Sequence, residues 1–306
     1  MSRRFPTLLT AVAVATALCA CATATRQAPD ASVHPSVVAA RTTPSASPVA
    51  TPTASPAATP VSAQPVGPAP ADLDAAYVAN ELGGVEAGIR TANTPAFEYV
   101  GLGRRQQQMY HLLATRPNLV PGVLAAVAPP VQAAIQANLS AARQIDSLNG
   151  SRSQLPHWRI VAPPPPEVLL GYYREAEAAF GIRWQYLAAI NLIETNMGRI
   201  QGLSSAGAQG PMQFMPPTWA TYGRGDVNNP RDAILAAGRY LQAAGAARDL
   251  NRAIYAYNNS TLYVQAVTQY AQQMLGNERT FLSYYNWQVY VATNGGDVLL
   301  PEGFSN

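Results

Sequence analysis

The sequence predicts a mainly α-helical protein with a small β-hairpin near its C-terminus. After residue 71, apolar residues recur at intervals of three and four, which is the spacing of amphipathic helices. Near the end, two short strand-like segments flank Asn294-Gly295-Gly296, which is typical of a hairpin. A chain of 306 residues is long enough for one or two domains with a sizeable core.

Residues 1–21 have the features of a bacterial export signal. Two arginines precede an apolar run over 8–20, which is too short for a comfortable membrane span. The run ends in Leu-Cys-Ala-Cys, which resembles a lipobox, and we therefore expect a lipid on Cys21. The expected location is the cell membrane, with the exported chain anchored by that lipid and facing the cell wall. Secretion after cleavage in the following Ala/Thr-rich stretch is the alternative.

Residues 22–70 consist mainly of Ala, Pro, Ser and Thr, with almost no charge and no large apolar side chains. Such a segment buries too little surface to offset the entropy lost on ordering, so a disordered linker is predicted. If largely extended, it would reach on the order of 150 Å.

Two helical regions follow this linker. Residues 71–155 are predicted to form a helical lead-in domain, and residues 163–166, all proline, form a stiff joint. Further helices are predicted at 167–180, before Gly181, and at 183–195. Asn229, Asp249 and Ser260 are each positioned to cap another helix. Residues 276–306 are predicted to be a tail that carries the hairpin.

Composition excludes several classes of function. A net charge of +3 gives no nucleic-acid footprint. Cys19 and Cys21 lie in the signal region, so the folded part has neither a disulfide nor a catalytic thiol. The three histidines are far apart in sequence, and 223–229 lacks the acidic spacing of a calcium loop. No metal and no cofactor are expected.

The helical sequence pattern gives way to a loop after Glu194, which lies at the end of a predicted helix. Four glycines follow within a short loop, and glycine lets the backbone approach a ligand or adopt unusual angles. Such a loop can fold back around the Glu194 carboxyl. Taken singly, a glutamate at a helix end is usually a solvated surface residue, and these glycines are ordinary turns.

Together the motifs resemble those of the lytic transglycosylases, whose catalytic domain is similar to goose-type lysozyme. They are Glu194-Thr195, then the segment 204–216 (SSAGAQGPMQFMP), then Ala256-Tyr257-Asn258. The resemblance covers about residues 160–275 and implies a lysozyme-like, mainly α catalytic domain. One departure is Asn259-Ser260, where the family usually continues with a small residue and glycine.

The resemblance implies a role for each matched residue. Glu194 matches the catalytic acid/base, and Ser204 the loop serine beside it. The residues that match substrate-binding positions are Gln213 and Met215 in the sugar cleft and the pair Tyr257 and Asn258. The Tyr257 hydroxyl is expected to reach toward the catalytic carboxyl, although Tyr257 also lies on an apolar helix stripe with Ile254, as a core residue would.

The implied substrate is the glycan of peptidoglycan, and the implied reaction uses one carboxylate. Glycosidases usually need two, but Asp226, Asp232 and Asp249 have the pattern of loop or cap residues. Glu194 would protonate the oxygen between N-acetylmuramic acid and N-acetylglucosamine, then activate the muramoyl 6-hydroxyl to form a 1,6-anhydro end. Burial beside Met215 and Ile190 should raise its pKa and keep it protonated.

Other functions stay open at this point. A hydrolytic muramidase with the same fold would use water and leave a reducing end. A non-catalytic wall-binding lipoprotein would hold glycan without cutting it. A serine hydrolase is disfavoured because 202–207 lacks the spacing of a nucleophile elbow.

Overall fold

A computed structural model describes residues 61–67 and 73–306. The predicted export signal, Cys21 and most of the predicted linker lie outside these residues. The described part is mainly helical, as predicted. Its helices are α1 (Ala75–Arg90), α2 (Glu98–Thr115), α3 (Val120–Ala126), α4 (Pro129–Asn149), α5 (Pro166–Phe180), α6 (Trp184–Thr195), α7 (Pro216–Tyr222), α8 (Pro230–Ala243), α9 (Leu250–Asn258), α10 (Thr261–Gly276) and α11 (Thr280–Tyr285).

Local capping chemistry explains where several helices begin and end. The side chain of Asn229 accepts hydrogen bonds from the first turn of α8, Asp249 caps α9, and Ser260 caps α10. Gly181 ends α5 in the left-handed conformation. These caps confirm the helix boundaries that the sequence predicts. Helix α11 is not predicted by the sequence, whose pattern over 276–306 indicates only a tail with the hairpin.

The predicted hairpin is present as the antiparallel strands β4 (Val289–Thr293) and β5 (Gly296–Leu300). Its outer edge is covered by β1 (Gln64–Pro65), which pairs with β5. The prediction of a disordered linker is therefore wrong at 64–65, because these backbone groups bond to an open strand edge. A second small sheet joins β2 (Arg159–Ile160) to β3 (Ile200–Gln201).

Helix α6 is the centre of the fold. Ten of its twelve residues are buried, as expected for a helix that is apolar on all sides. It packs on α5, α8 and α10, and α10 in turn packs along α4. Side chains of the predicted lead-in region and of the region after residue 160 therefore contribute to one core. The position of a domain boundary between them stays a prediction.

No helix among the described residues combines the length and the apolar character that a bilayer span requires.

Candidate active site

Glu194 lies in the last turn of helix α6. The helix ends in an unusual way, because Asn196 and Met197 both have positive φ, at 52° and 63°. Neither residue is glycine, and two such residues in succession store backbone strain that the surrounding contacts must hold. The Met197 amide donates to the Asn191 carbonyl at 3.1 Å, which reverses the chain directly after the glutamate.

The glycine-containing loop is hydrogen-bonded to α6 through the carbonyl group of Pro211. The carbonyl oxygen of Pro211 accepts from Asn191 Nδ2 at 2.7 Å and from Thr195 Oγ1 at 2.5 Å. Both donors are fully buried, so the loop is held without competition from water. These bonds hold 211–214 against the C-terminal end of the helix that carries Glu194.

Gly210 allows this loop to pass close to the backbone of Val227. Its φ is 71°, and a Cβ atom there would lie 1.9 Å from the Val227 carbonyl oxygen. Gly207 in the same loop also has positive φ, but nothing lies within 4 Å of its Cβ position. The requirement for glycine at 210 therefore comes from both the backbone angle and the close approach.

The Glu194 carboxyl is half-buried and accepts one hydrogen bond, from the Tyr263 hydroxyl at 2.6 Å. Burial raises its pKa to about 7, and the bond from Tyr263 acts in the opposite direction by favouring the anion. No arginine or histidine of the described residues forms an ion pair with it. The rise in pKa that the sequence predicts is thus present.

Tyr263, rather than Tyr257, donates to the catalytic candidate. The Tyr257 hydroxyl donates to the Met212 carbonyl at 2.7 Å instead of to the carboxyl, although it lies close enough for the charge of Glu194 to raise its pKa. Its ring stacks on the Tyr263 ring, with centroids 6.4 Å apart and an interplanar angle of 5°. The sequence suggests no such role for Tyr263, which lies on the apolar stripe of α10. The one available signal is that a buried tyrosine usually needs a hydroxyl partner.

Three of the other predicted substrate-binding residues lie in the loop between α6 and α7, and Asn258 ends α9; none of them is hydrogen-bonded to Glu194 in the described structure. Ser204 Oγ accepts from the amides of Ala206 and Ala208, at 3.2 and 3.0 Å, so it organises its own turn. Gln213 Nε2 donates to the Gly210 carbonyl. Met215 is 41 % exposed, and Asn258 is also exposed. Their roles toward substrate stay predictions.

The three aspartates with the sequence pattern of loop or cap residues accept hydrogen bonds from backbone amides. Asp226 accepts from Asn228, Asp232 accepts from the amide of Asp226, and Asp249 caps α9. This agrees with the prediction that they are loop and cap residues. Within the described residues, no three His, Cys, Asp or Glu side chains form a group that could hold a metal ion.

One cavity of the described part does not include Glu194 in its lining. It has a volume of about 680 Å³ and is lined by α1, α2 and the hairpin, with Tyr77, Met109 and Tyr290 among its walls.

Comparison with known proteins gives one match. A family model described as transglycosylase SLT domain matches residues 171–280. The matched segment runs from α5 to the start of α11 and contains Glu194, the loop on Pro211 and Tyr263. Neither the curated proteins nor the solved structures compared with the chain give a match.

Proposed function

We propose that the protein is a peptidoglycan lytic transglycosylase, since a family model described as transglycosylase SLT domain, which has a lysozyme-like fold, matches residues 171–280. It cleaves the β-1,4 bond between N-acetylmuramic acid and N-acetylglucosamine and leaves 1,6-anhydro-muramoyl ends. One observation carries the proposal: within this domain, Glu194 is half-buried, has a pKa of about 7 and bonds to Tyr263. A carboxyl group with these properties can act first as an acid and then as a base.

In the first step, neutral Glu194 donates its proton to the glycosidic oxygen. The bond from the muramoyl C1 to that oxygen breaks, and its electron pair remains on the departing N-acetylglucosamine. The carbonyl oxygen of the substrate's own acetamido group stabilises the positive C1. Glu194 is now a carboxylate, and the Tyr263 hydroxyl at 2.6 Å stabilises its charge.

In the second step, the Glu194 carboxylate accepts the proton of the muramoyl 6-hydroxyl. The oxygen of that hydroxyl attacks C1 and closes the anhydro ring, which returns Glu194 to its neutral form. One carboxylate serves both steps, and water is not a reactant. The occupation of Asp226, Asp232 and Asp249 by backbone amides supports this route over one with two carboxylates.

Product analysis in heavy-oxygen water tests the proposal. Purified full-length protein acts on peptidoglycan, and mass spectrometry follows the new ends. Anhydro ends lack one water and contain no heavy oxygen, whereas a hydrolytic muramidase would leave reducing ends that contain it. Binding to peptidoglycan without any product would favour the non-catalytic alternative.

Glu194→Gln is expected to lower turnover by about 10²–10⁴-fold, since the amide cannot transfer the proton. Its matched control is Glu167→Gln, which changes an exposed glutamate in the first turn of α5. Normal turnover by Glu194→Gln would refute the assignment of the acid/base.

We also propose that the enzyme is exported and anchored by a lipid on Cys21, facing the cell wall. The basic start, the short apolar run and the lipobox-like end of residues 1–21 support this. Cys21→Ser should move the protein from the membrane fraction to the medium and abolish its labelling by a radioactive fatty acid. Unchanged labelling would contradict the anchor.

A further inference from the structure

A row of four tyrosines runs outward from the catalytic candidate. Tyr263 bonds to Glu194 and stacks on Tyr257. Tyr257 meets the edge of Tyr240 at 5.4 Å between centroids, and Tyr240 meets the edge of Tyr222 at 5.1 Å. Four different helices supply these rings, and the last three are partly exposed. The row therefore connects Glu194, through the buried Tyr263, to three half-buried rings.

Two arginines lie at the outer end of this row. Arg239, which precedes Tyr240 on α8, donates from Nη1 to the carbonyl of Tyr222. Its guanidinium carbon also lies 5.3 Å from the centroid of the Phe180 ring. Arg224 follows Tyr222 by two residues, on an exposed turn between two glycines. We call Arg224 and Arg239 the arginine pair.

The arginine pair has no counter-ion within the described residues. No carboxylate there forms an ion pair with either side chain, whereas Arg231 on the same helix pairs with Glu175. Partial burial and, to a smaller extent, the charge of Arg224 lower the pKa of Arg239. Two like charges in this arrangement repel each other, and an anion between them would relieve that repulsion.

The guanidinium groups of the arginine pair favour an oxyanion as the ligand. Their planar set of donors matches a carboxylate in a bidentate manner. The sugar rings of peptidoglycan are neutral. Its carboxylates belong to the peptide attached to muramic acid or, where no peptide is attached, to the lactyl substituent itself. A strand along the tyrosine row would thus present a carboxylate to the arginine pair.

We propose that Arg224 and Arg239 bind a carboxylate on the muramoyl substituent of the glycan strand and so select carboxylated strands as substrates. This inference rests on the proposed function. The arginine pair acts on binding, because it is separated from Glu194 by the length of the tyrosine row. Its loss should therefore raise KM and leave kcat nearly unchanged.

Three substrates test the inference and separate the two sources of the carboxylate. They are peptide-bearing strands, strands freed of peptide by an amidase, and strands whose carboxyl groups have been amidated with a carbodiimide and ethanolamine. Arg224→Gln and Arg239→Gln are each expected to lower kcat/KM by about tenfold on carboxylated strands. A loss only on peptide-bearing strands identifies the peptide as the source, and a loss only on peptide-free strands, where the lactyl carboxyl is no longer amide-linked, identifies the lactyl group. An equal loss on both shows that the arginine pair accepts either carboxylate.

On amidated strands, wild type and variants should be equal, and raised ionic strength should reduce the difference on the others. Arg231→Gln is the matched control, and it should behave as wild type because its ion pair is exposed. Arg224→Gln changes a side chain on an exposed turn, so folding is expected to survive. Variants that match wild type on all three substrates would overturn the inference, as would an equal loss on amidated strands.

A binding assay separates failure of this inference from failure of the proposed function. Full-length Glu194→Gln protein, with and without Arg224→Gln, is sedimented with each insoluble substrate. The added substitution should weaken binding to carboxylated material only. If no variant, wild type included, cleaves any strand, the proposed function fails while this binding result still decides the inference.

Discussion

Glu86 and Glu194 are both shielded from water, but their carboxyl groups have different hydrogen-bond and ion-pair partners. Glu86 on α1 is 2 % exposed and is ion-paired with Arg90. It also accepts from Gln106 Nε2 at 2.7 Å and from the Tyr110 hydroxyl at 2.8 Å. Glu194 on α6 is half-buried and, among the residues that the structure describes, accepts only from Tyr263. One carboxylate is fully satisfied, and the other is not.

The difference separates a structural carboxylate from a reactive one. The partners of Glu86 come from two helices and continue through Asn138 to Tyr284, so its charge holds helices together. Within the described part of the chain, no cation forms an ion pair with Glu194, and burial raises its pKa to about 7. A carboxyl group that changes protonation state near working pH is suited to proton transfer.

Removing the satisfied carboxylate should have the largest effect on stability. Glu86→Ala leaves the donors of Arg90, Gln106 and Tyr110 without their acceptor, and we expect a loss of about 3–5 kcal/mol in the free energy of unfolding. Urea denaturation followed by circular dichroism measures this. The control on the same helix is Glu81→Ala, whose ion pair with Arg105 is half-exposed and should contribute at most about 1 kcal/mol. Equal losses would contradict the comparison.

Replacing Glu194 with glutamine should increase the stability of the folded protein, but only at pH values above about 4.5. In the folded state the pKa of Glu194 is raised from 4.5 to about 7, so the folded protein binds more protons than the unfolded chain between these values. Wild-type stability should therefore fall as pH rises through this window. Glu194→Gln lacks this loss, and we expect it to exceed wild type by up to about 3 kcal/mol at pH 8. The two should agree near pH 4, and a pH-independent difference would argue against the raised pKa.

Removing the tyrosine hydroxyl that donates to each carboxylate should have the smallest effects. The loss beside Glu86 should lower stability, and the loss beside Glu194 should lower kcat. Tyr110→Phe should cost about 1–3 kcal/mol of stability and leave kcat unchanged. Tyr263→Phe should lower kcat by about tenfold, because the carboxylate formed in the first step loses its donor.

The pH profile of kcat/KM distinguishes the two hydroxyls further. Wild-type activity should fall as pH rises through about 7, where Glu194 loses its proton. Because the Tyr263 bond lowers the pKa of Glu194, Tyr263→Phe should move this falling limb to higher pH. Tyr110→Phe should leave the limb in place. A shift in both variants, or in neither, would remove the distinction between the two sites.

Much of the fold followed from local sequence. Caps at Asn229, Asp249 and Ser260 and the glycine at 181 depend on neighbours within one helical turn, so the helix boundaries they mark could be predicted. The hairpin around Asn294 was equally local. Helix α11 lacked such a cap signal, since Arg279 at its start makes no side-chain capping bond.

The sequence by itself determined the helices, the hairpin, the position of Glu194 at a helix end and the loop that follows it. Only the tertiary structure decided that Tyr263, 69 positions away, donates to that carboxyl. It also decided that residues 64–65 extend the sheet and that the helices before and after the proline joint share one core. The reason is physical: helix caps and turns are set by adjacent residues, whereas partners of a buried polar atom are set by which distant segments the folded chain brings together.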